Sequence, residues 1–284
     1  MSDLKSRRKP KRVKYHFSLV FFAAVVIFGA MFYNYYTNTT LEDVLAQQNA
    51  VVDSQASNEN QNDINNENTD VPENIPEVVP EEKVNPVPES EKVGDDYLQN
   101  VVFIGDSLTY GLSTYNIVPS SNVLASVSLN LAKIDTATVD TAYGKLTIVD
   151  ALTQMQPKTA YIMLGSNGMA YLNANELYQY FSTFMKNVLD VCPETEIYII
   201  SVPPVTAEKE TTVNVPIKNS DIDEFNAKLL EYCNRNGLNY LDLNSSLKNE
   251  NGVLADEDAE NDGMHLKHST YTKFTDYILT HVQK

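Results

Sequence analysis

From Tyr97 onward the chain alternates short apolar runs with segments of helical period. The apolar runs are rich in β-branched residues, as buried strands are. They cover residues 101–104, 123–127, 160–164, 197–202 and 238–241. Between them, apolar residues recur at helical spacing, most clearly over 175–191 and 222–233. Strands that alternate with helices need crossover connections, which predicts one α/β domain over 97–284 with a mostly parallel sheet and helices on both faces.

The first predicted strand leads into a candidate nucleophile. Residues 101–104 are apolar, and the tripeptide Gly-Asp-Ser follows them, which puts the hydroxyl of Ser107 beyond the strand. Ligands of open parallel sheets bind outside the carboxyl ends of the strands, so Ser107 is expected at the ligand-binding edge. A serine nucleophile needs a base with an orienting carboxylate, and Asp262 and His265 provide that pair near the last predicted helix.

Three loops at predicted strand ends or before the last helix carry Gly105–Leu108, Gly165–Asn167 and Asp262–His265. In this order and context they resemble the nucleophile, asparagine and acid–base blocks of the SGNH (GDSL-type) hydrolase family. The resemblance covers about residues 98–282. It implies a flavodoxin-like three-layer α/β/α sandwich and a serine esterase that forms an acyl-serine intermediate without a metal or other cofactor.

The resemblance also implies a role for each of these residues. Ser107 is the expected nucleophile, His265 its general base and later acid, and Asp262 the carboxylate that orients the imidazole. Asn167 is expected to donate its side-chain amide to the oxyanion, together with the backbone N–H of Ser107. The family has a glycine as a further backbone donor, and this chain has Ser128 there. Glycine reaches conformations that serine does not, so this departure bears on the efficiency of the oxyanion hole.

Three more residues are candidate substrate contacts. Asp106 precedes the nucleophile, and Pro203 and Val205 leave the carboxyl end of another predicted strand, where they either line the acyl pocket or simply end the strand. Taken alone, each site residue also has a structural interpretation. Ser107 is a suitable helix cap, and the Asn-Gly and Asp-Gly dipeptides are typical of turns.

The amino-terminal segment predicts a membrane anchor. Seven lysines and arginines lie within residues 5–14, and residues 15–41 contain no Asp, Glu, Lys or Arg. The apolar stretch is long enough to span a bilayer, and the basic flank predicts a cytoplasmic N-terminus. We therefore expect a cytoplasmic tail at 1–15, a transmembrane helix at 16–37 in contact with the lipid bilayer, and an extracytoplasmic catalytic domain. The alternative is a cleaved signal peptide, whose apolar region is usually shorter.

Residues 38–96 predict a disordered acidic linker. Asn, Gln and Ser dominate its first half and Pro, Glu and Val its second, which leaves too little apolar surface to form a core. The domain that follows has 22 acidic and 12 basic residues, a net charge of −10. Nucleic acid is therefore excluded as the expected partner, because phosphate contacts need clustered Lys and Arg. We expect a monomeric catalytic domain on a tether.

The cysteines and histidines show no metal-site spacing. Cys192 and Cys233 each follow a predicted helix, and they are either a disulfide of an exported protein or two buried thiols. His265 and His268 have the spacing of a metal pair, but no third ligand is evident. His268 is better interpreted as a surface residue that opens the last helix.

Three functions stay open on the sequence. The first is an extracytoplasmic serine esterase that hydrolyses small O-acyl esters, acetyl above all, on a small molecule or a cell-envelope glycan. The second is an O-acyltransferase, in which a sugar hydroxyl replaces water at the same acyl-serine. The third is a catalytically weak module that binds an envelope polymer or a partner protein. A cytoplasmic lipase is disfavoured, because it leaves the basic and apolar start unexplained and the chain has no long apolar lid helix.

Overall fold

The computed structural model describes residues 83–213 and 215–283. The expected cytoplasmic tail (1–15), the expected transmembrane helix (16–37) and most of the expected linker lie outside these residues. Within them, no helix combines the length and the apolar character that crossing a membrane requires.

The described part of the chain contains seven strands and seven α-helices. The strands are β1 (Val102–Gly105), β2 (Val123–Ala125), β3 (Thr138–Thr141), β4 (Gly144–Thr147), β5 (Thr159–Met163), β6 (Glu196–Ile200) and β7 (Asn239–Leu241). The helices are α1 (Ser107–Thr114), α2 (Ile148–Met155), α3 (Ala174–Val191), α4 (Ala207–Thr211), α5 (Asn219–Asn236), α6 (Leu243–Leu247) and α7 (His268–Leu279). Short 3₁₀ helices lie at Asp95–Gln99, Ser120–Asn122, Leu131–Lys133 and Ser166–Gly168.

Five of the strands form a parallel sheet in the order β2-β1-β5-β6-β7. They coincide with the five predicted apolar runs except for shifts at the ends. In the register of the sheet, Gly105 lies beside Ala125 on one side and Met163 on the other. The loops after β1, β2 and β5 therefore leave the sheet at the same edge, which brings their residues together.

Helices cover both faces of the sheet. Alternate strand residues point to opposite sides, so Ile104 and Ile162 enter one core, formed with α2, α3 and α5. Phe103 and Tyr161 enter the other core, formed with α1, α6 and α7. Two cores separated by one parallel sheet make a three-layer α/β/α sandwich. The expected fold class is confirmed for the described residues.

A small hairpin was not predicted. β3 and β4 pair antiparallel and form a separate two-stranded sheet, with Thr138 opposite Thr147. Only Val139 of β3 is buried, and β4 has no buried residue. The apolar alternation that identifies a half-buried strand is therefore missing from these eight positions, and no strand was expected there.

The expected boundary between linker and domain, at residue 97, is wrong. Residues 83–96 pack on the domain: the backbone N–H of Val87 donates to the carbonyl of Tyr240 (2.9 Å), and that of Val93 donates to Leu279 (2.9 Å). The Asn85 side chain accepts from the N–H of Tyr240 and donates to the carbonyl of Leu238 (2.7 and 2.9 Å). The composition concealed this role, because the segment covers the free edge of β7 with few apolar side chains.

The two cysteines are separate buried thiols. The sulfur of Cys192 donates to the carbonyl of Leu152 (3.6 Å), and that of Cys233 donates to the carbonyl of Asn239 (3.7 Å). Of the two interpretations left open by the sequence, the disulfide is therefore not formed. Burial raises the pKa of both thiols, which keeps them protonated and unreactive.

Candidate active site

The nucleophile turn connects β1 to α1. Gly105 ends the strand in a place with no room for a side chain, since a Cβ there would collide with the Thr109 side chain and the carbonyl of Met163. Asp106 is the N-cap of α1, and Ser107 is its first residue. The tight packing at Gly105 lets the helix begin directly at the strand end, so the hydroxyl of Ser107 stands at the edge where the sheet loops meet.

Ser107 and His265 are 158 residues apart in sequence and in contact in the fold. Ser107 Oγ lies 2.8 Å from Nε2 of His265, and Nδ1 of His265 lies 2.5 Å from Oδ2 of Asp262. When Nδ1–H of the imidazole donates to the carboxylate, Nε2 is the acceptor for the serine hydroxyl. This arrangement can remove the Ser107 proton as the oxygen attacks a carbonyl carbon.

The acid and base share one tight turn before α7. Oδ1 of Asp262 accepts hydrogen bonds from the backbone N–H groups of Met264 (3.0 Å) and His265 (2.9 Å). Gly263, which directly follows Asp262, has φ of 72°, a conformation that favours glycine. The turn is docked on the rest of the domain by the N–H of Thr206, which donates to the carbonyl of Gly263 (2.9 Å).

The environment keeps Asp262 ionised. Burial by itself would raise its pKa, but the hydrogen bonds from the His265 ring and from the backbone of His265 and Met264 outweigh it, and the pKa is lowered from its ordinary value. An ionised carboxylate accepts the Nδ1 proton and stabilises the imidazolium that forms when Ser107 loses its proton. Asp262 is thus suited to the orienting role that the resemblance implies.

Asn167 lies at the same sheet edge and is used in a way that the sequence did not predict. Its side-chain amide donates to the carbonyls of Val127 (3.0 Å) and Leu129 (2.8 Å), one on each side of Ser128. Asn167 therefore fixes the loop that carries Ser128. A substrate oxyanion would have to share one of these amide hydrogens, so the expected donor role of Asn167 stays a prediction.

Ser128 occupies an ordinary backbone conformation. Of the described non-glycine residues, only Asn116, Gln156 and Val215 have positive φ, so the position does not need glycine. Among the residues that the structure describes, neither the N–H of Ser128 nor that of Ser107 has a hydrogen-bond partner. Both groups are therefore free to bind an oxyanion, and the conformational objection to serine at this position does not hold.

The expectation that Asp106 contacts substrate is corrected by its burial. The residue is 1% exposed. Oδ1 accepts from the N–H of Leu108 (3.2 Å), and Oδ2 accepts from the hydroxyl of Ser166 (2.5 Å). A carboxylate enclosed in this way cannot reach a ligand. The sequence did not single out Ser166, because a serine in a loop carries no mark of its tertiary partner.

Comparison with known proteins identifies the family. The GDSL-like Lipase/Acylhydrolase family matches residues 103–273, which is more than half of the chain and includes the nucleophile and the acid–base turn. The chain belongs to this family. It is a serine hydrolase that acts on carboxylic ester bonds. No curated protein matches the sequence.

Solved structures of the same fold come from several bacteria. A Streptococcus pneumonia protein named for platelet activating factor is 19% identical, with 63% of this chain and 82% of that chain covered and a TM-score of 0.50. A Bacteroides fragilis acylhydrolase is 15% identical over 68% and 88% of the two chains, with a TM-score of 0.47. A GDSL-like lipase from Bacteroides thetaiotaomicron is 16% identical over 64% and 87%, with a TM-score of 0.46. The first of these likenesses supports the three-layer fold.

A small apolar cavity of the acylhydrolase adjoins the nucleophile turn. Its volume is about 10 Å³, which is room for about one water molecule. Pro203 and Val205, the two predicted pocket residues, are in its wall. The rest of the wall is formed by Leu108, Ser166, Met169, Val202, Ile217, Ile222 and Met264. Their role in substrate binding stays a prediction.

A much larger groove of this acylhydrolase borders the acid–base turn. It has a volume of about 520 Å³ and is mainly polar, with Asp262 and Gly263 in its wall. Other wall residues are Thr206, Glu208, Lys209, Asp256, Glu260 and Asn261. The sequence did not predict this groove, because its two walls come from separate segments, 206–212 and 256–267.

The described residues contain no group of three or more His, Cys, Asp or Glu side chains that could hold a metal ion. The ring of His268 instead contacts the ring of Tyr115, with centroids 5.0 Å apart. His268 is exposed and opens α7. His268 is therefore a surface residue that opens the last helix, as expected.

Proposed function

We propose that this protein is a membrane-anchored extracytoplasmic esterase that removes small acyl groups, acetyl above all, from a polar substrate such as a cell-envelope glycan. The observation that carries the proposal is the contrast between the two spaces beside the triad. The apolar cavity of about 10 Å³ limits the acyl side of the substrate, and the polar groove of about 520 Å³ leaves room on the alcohol side.

The proposed reaction begins with attack by Ser107. Its Oγ bonds to the ester carbonyl carbon while the hydroxyl proton moves to Nε2 of His265. The carbonyl oxygen becomes an oxyanion, which the backbone N–H groups of Ser107 and Ser128 can bind. His265 then gives the proton to the alcohol oxygen, the ester C–O bond breaks, and the acyl group remains on Ser107.

Hydrolysis of the acyl-serine repeats the same steps with water. His265 takes a proton from a water molecule as its oxygen attacks the acyl carbon, and it returns the proton to Ser107 Oγ as the acid leaves. The Asp262 carboxylate stabilises the imidazolium in both half-reactions. The groove beside Asp262 is where the alcohol product would depart, since it opens next to the acid–base turn.

The polarity of the groove favours a carbohydrate over a lipid as the alcohol component. Threonine, asparagine, lysine and carboxylate side chains form its wall and can exchange hydrogen bonds with sugar hydroxyls. A lipid would need an exposed apolar surface there instead. The extracytoplasmic location is proposed from the sequence, because a basic tail followed by a long apolar run predicts a membrane-anchored domain outside the cytoplasm.

The test compares p-nitrophenyl acetate, butyrate and octanoate with the full chain and with Ser107→Ala. We expect acetate to have the highest kcat/KM, with a loss of roughly tenfold or more for butyrate, because one additional methylene in a tight pocket already costs this much. Equal rates on octanoate would contradict the small-acyl proposal. The Ser107→Ala variant controls for hydrolysis that does not use the site.

An acetylated glycan oligomer then tests whether a glycan is the alcohol component of the substrate and whether water or a sugar hydroxyl accepts the acyl group. Release of free acetate, with no acetyl group on an added unacetylated oligomer, is the expected result. Acetyl transfer to the added oligomer would show an O-acyltransferase that uses the same acyl-serine. Hydrolysis of p-nitrophenyl acetate but of no acetylated glycan would contradict the glycan substrate and leave the esterase intact.

The location has its own test. The full chain with alkaline phosphatase fused to its C-terminus should be active in a bacterial host and should sediment with the membrane fraction, since this reporter folds only outside the cytoplasm. An inactive fusion would contradict the extracytoplasmic domain. An active fusion that is shortened and released would favour the cleaved signal peptide.

A further inference from the structure

Asp106 lies at the centre of a buried hydrogen-bond network that does not include the triad side chains. Its carboxylate accepts from the N–H of Leu108 in the nucleophile turn and from the hydroxyl of Ser166 in the loop after β5. The backbone N–H groups of Gly165 and Asn167 also stabilise its negative charge. One side chain at the end of β1 thus receives donors from two loops that are 60 residues apart in sequence.

The network continues from Asp106 to every candidate oxyanion donor. Ser107 lies between Asp106 and Leu108, whose N–H is bonded to the same carboxylate. Asn167 directly follows Ser166, which is hydrogen-bonded to Asp106, and the Asn167 side chain holds the carbonyls of Val127 and Leu129 around Ser128. The positions of three donors, the N–H groups of Ser107 and Ser128 and the Asn167 amide, therefore depend on one buried carboxylate.

We propose that Asp106 and Ser166 form a positioning pair that sets the geometry of the oxyanion hole. Asp106 does not touch the reacting atoms; it holds the two loops in the register at which their donors converge. The inference depends on the ester chemistry of the family and not on the acetyl or glycan substrate. It can therefore fail while the proposed substrate stands, or stand while the substrate fails.

A carboxylate is needed at this position because it only accepts hydrogen bonds. Four donors surround it: the hydroxyl of Ser166 and the N–H groups of Leu108, Gly165 and Asn167. An asparagine has one acceptor oxygen, and its NH₂ group would face N–H donors. Asp106→Asn keeps the size of the side chain and forces at least one loop to move. Donors that move away from the oxyanion weaken its binding in the transition state.

The chain offers a matched control in Asp242. This residue also follows directly after a strand of the same sheet, β7, and caps the next helix by accepting from the N–H of Ser245 (3.1 Å). Among the residues that the structure describes, its side chain has no hydrogen bond to the loops of the site. Asp242→Asn therefore repeats the chemical change at an equivalent position in the fold without disturbing the oxyanion donors.

The experiment measures p-nitrophenyl acetate hydrolysis by the full chain, with kcat normalised to active sites titrated by an organophosphonate. Asp106→Asn should lower kcat by on the order of 100-fold, as the loss of an oxyanion donor does, and change KM by less than about threefold. Ser166→Ala should lower kcat by roughly tenfold, the effect of one lost hydrogen bond to a charged group. Ser166→Thr, which retains the hydroxyl, should recover most of that loss, and Asp242→Asn should match the wild type.

Normalisation separates positioning from folding. A merely structural role would lower the fraction of titratable sites and leave kcat per site unchanged, and this result would overturn the proposal. It would also be overturned if Ser166→Thr were as slow as Ser166→Ala, or if Asp242→Asn lost as much activity as Asp106→Asn. Where Asp106→Asn does not fold, the two Ser166 variants decide the question.

Discussion

Two aspartates flank the nucleophile, and their surroundings differ in almost every respect. The Asp262 side chain is 49% exposed and bonds within its own turn, to residues two and three positions away. Asp106 is 1% exposed and bonds across the sheet to the loop after β5. Hydrogen bonds lower the pKa of Asp262 despite its partial burial, whereas burial raises the pKa of Asp106 despite its hydrogen bonds.

The difference indicates that the two aspartates have different roles. A carboxylate that supports proton transfer has to stay ionised next to the imidazole, and the local turn of Asp262 achieves this near solvent. A carboxylate that only fixes geometry gains from burial, because its bonds are then protected from exchange with water.

Removal of the nucleophile should abolish the contribution of Asp262, the aspartate that supports proton transfer. Ser107→Ala should lower kcat for ester hydrolysis by on the order of 10⁶-fold, as loss of the nucleophile does in other serine hydrolases. Adding Asp262→Asn to it should lower the residual rate no further, because Asp262 acts only through the proton transfer from Ser107. Steady-state kinetics of single and double variants measure this, with Ser113→Ala, a half-buried serine later in α1, as control. Retained activity in Ser107→Ala would refute the triad.

Replacing Asp262, which supports proton transfer, should lower kcat more than replacing Asp106, which positions the loops. Asp262→Asn should lower kcat by on the order of 10⁴-fold, since an amide stabilises the wrong imidazole tautomer. Asp106→Asn is expected to cost on the order of 100-fold, through the oxyanion hole alone. The ratio of the two kcat values is the measurement. A larger loss in Asp106→Asn than in Asp262→Asn would reverse the proposed roles.

Substitution of Asn167 should lower kcat by less than substitution of Asp262 and by more than a change in the acyl cavity. Asn167→Ala removes a candidate donor and also releases the carbonyls of Val127 and Leu129, so kcat should fall by on the order of 100- to 1,000-fold. Asn173→Ala, which removes the cap of α3, is a control outside the site. If Asn167→Ala kept the wild-type kcat, neither the donor role nor the bracing of Ser128 would be supported.

Enlarging the cavity should change acyl preference more than rate. Val205→Ala removes two methyl groups from a wall of the cavity of about 10 Å³. The kcat/KM for butyrate relative to acetate should rise by roughly tenfold, the usual effect of one methylene in a tight pocket. Competition between the two p-nitrophenyl esters measures the ratio. An unchanged ratio would show that the acyl group binds elsewhere.

The smallest expected effect is the pH dependence of stability. The pKa of Asp262 is lowered in the folded chain, so its ionised form stabilises the fold above the unfolded value of about 3.9, and this is lost as the pH falls through the lowered pKa. The pKa of Asp106 is raised, so the contribution of Asp106 to the free energy of unfolding becomes more favourable as the pH falls. Thermal unfolding from about pH 7 to pH 3 should show the stability advantage of wild type over Asp262→Asn shrinking on acidification. The difference between wild type and Asp106→Asn should change in the opposite direction, and equal slopes would remove the contrast.

The same contrast explains what the sequence could predict. Asp262 and His265 are three residues apart, and Ser107 follows an apolar strand directly, so local patterns were sufficient to find them. The five strands of the sheet were found in the same way, because each is a short apolar run between amphipathic segments. Buried parallel strands and short motifs are the features that a single sequence shows most clearly.

Tertiary partners were not predictable from those patterns. The bond between Asp106 and Ser166 joins loops that become neighbours only when β1 and β5 pair, so Asp106 was predicted to bind substrate. The segment at 83–96 has a linker-like composition, and its packing depends on the free edge of β7. In both cases the decisive group is a backbone or polar partner far away in sequence, which residue type does not reveal.

The most direct test of the account is to find where an acyl-enzyme analogue attaches. The full chain is incubated with a p-nitrophenyl organophosphonate, and the labelled peptide is mapped by mass spectrometry, with Ser107→Ala beside it. We expect one phosphonyl group per chain, on Ser107, in step with the loss of esterase activity, and no label on the variant. Label on another residue, or full ester hydrolysis by an unlabelled chain, would contradict it.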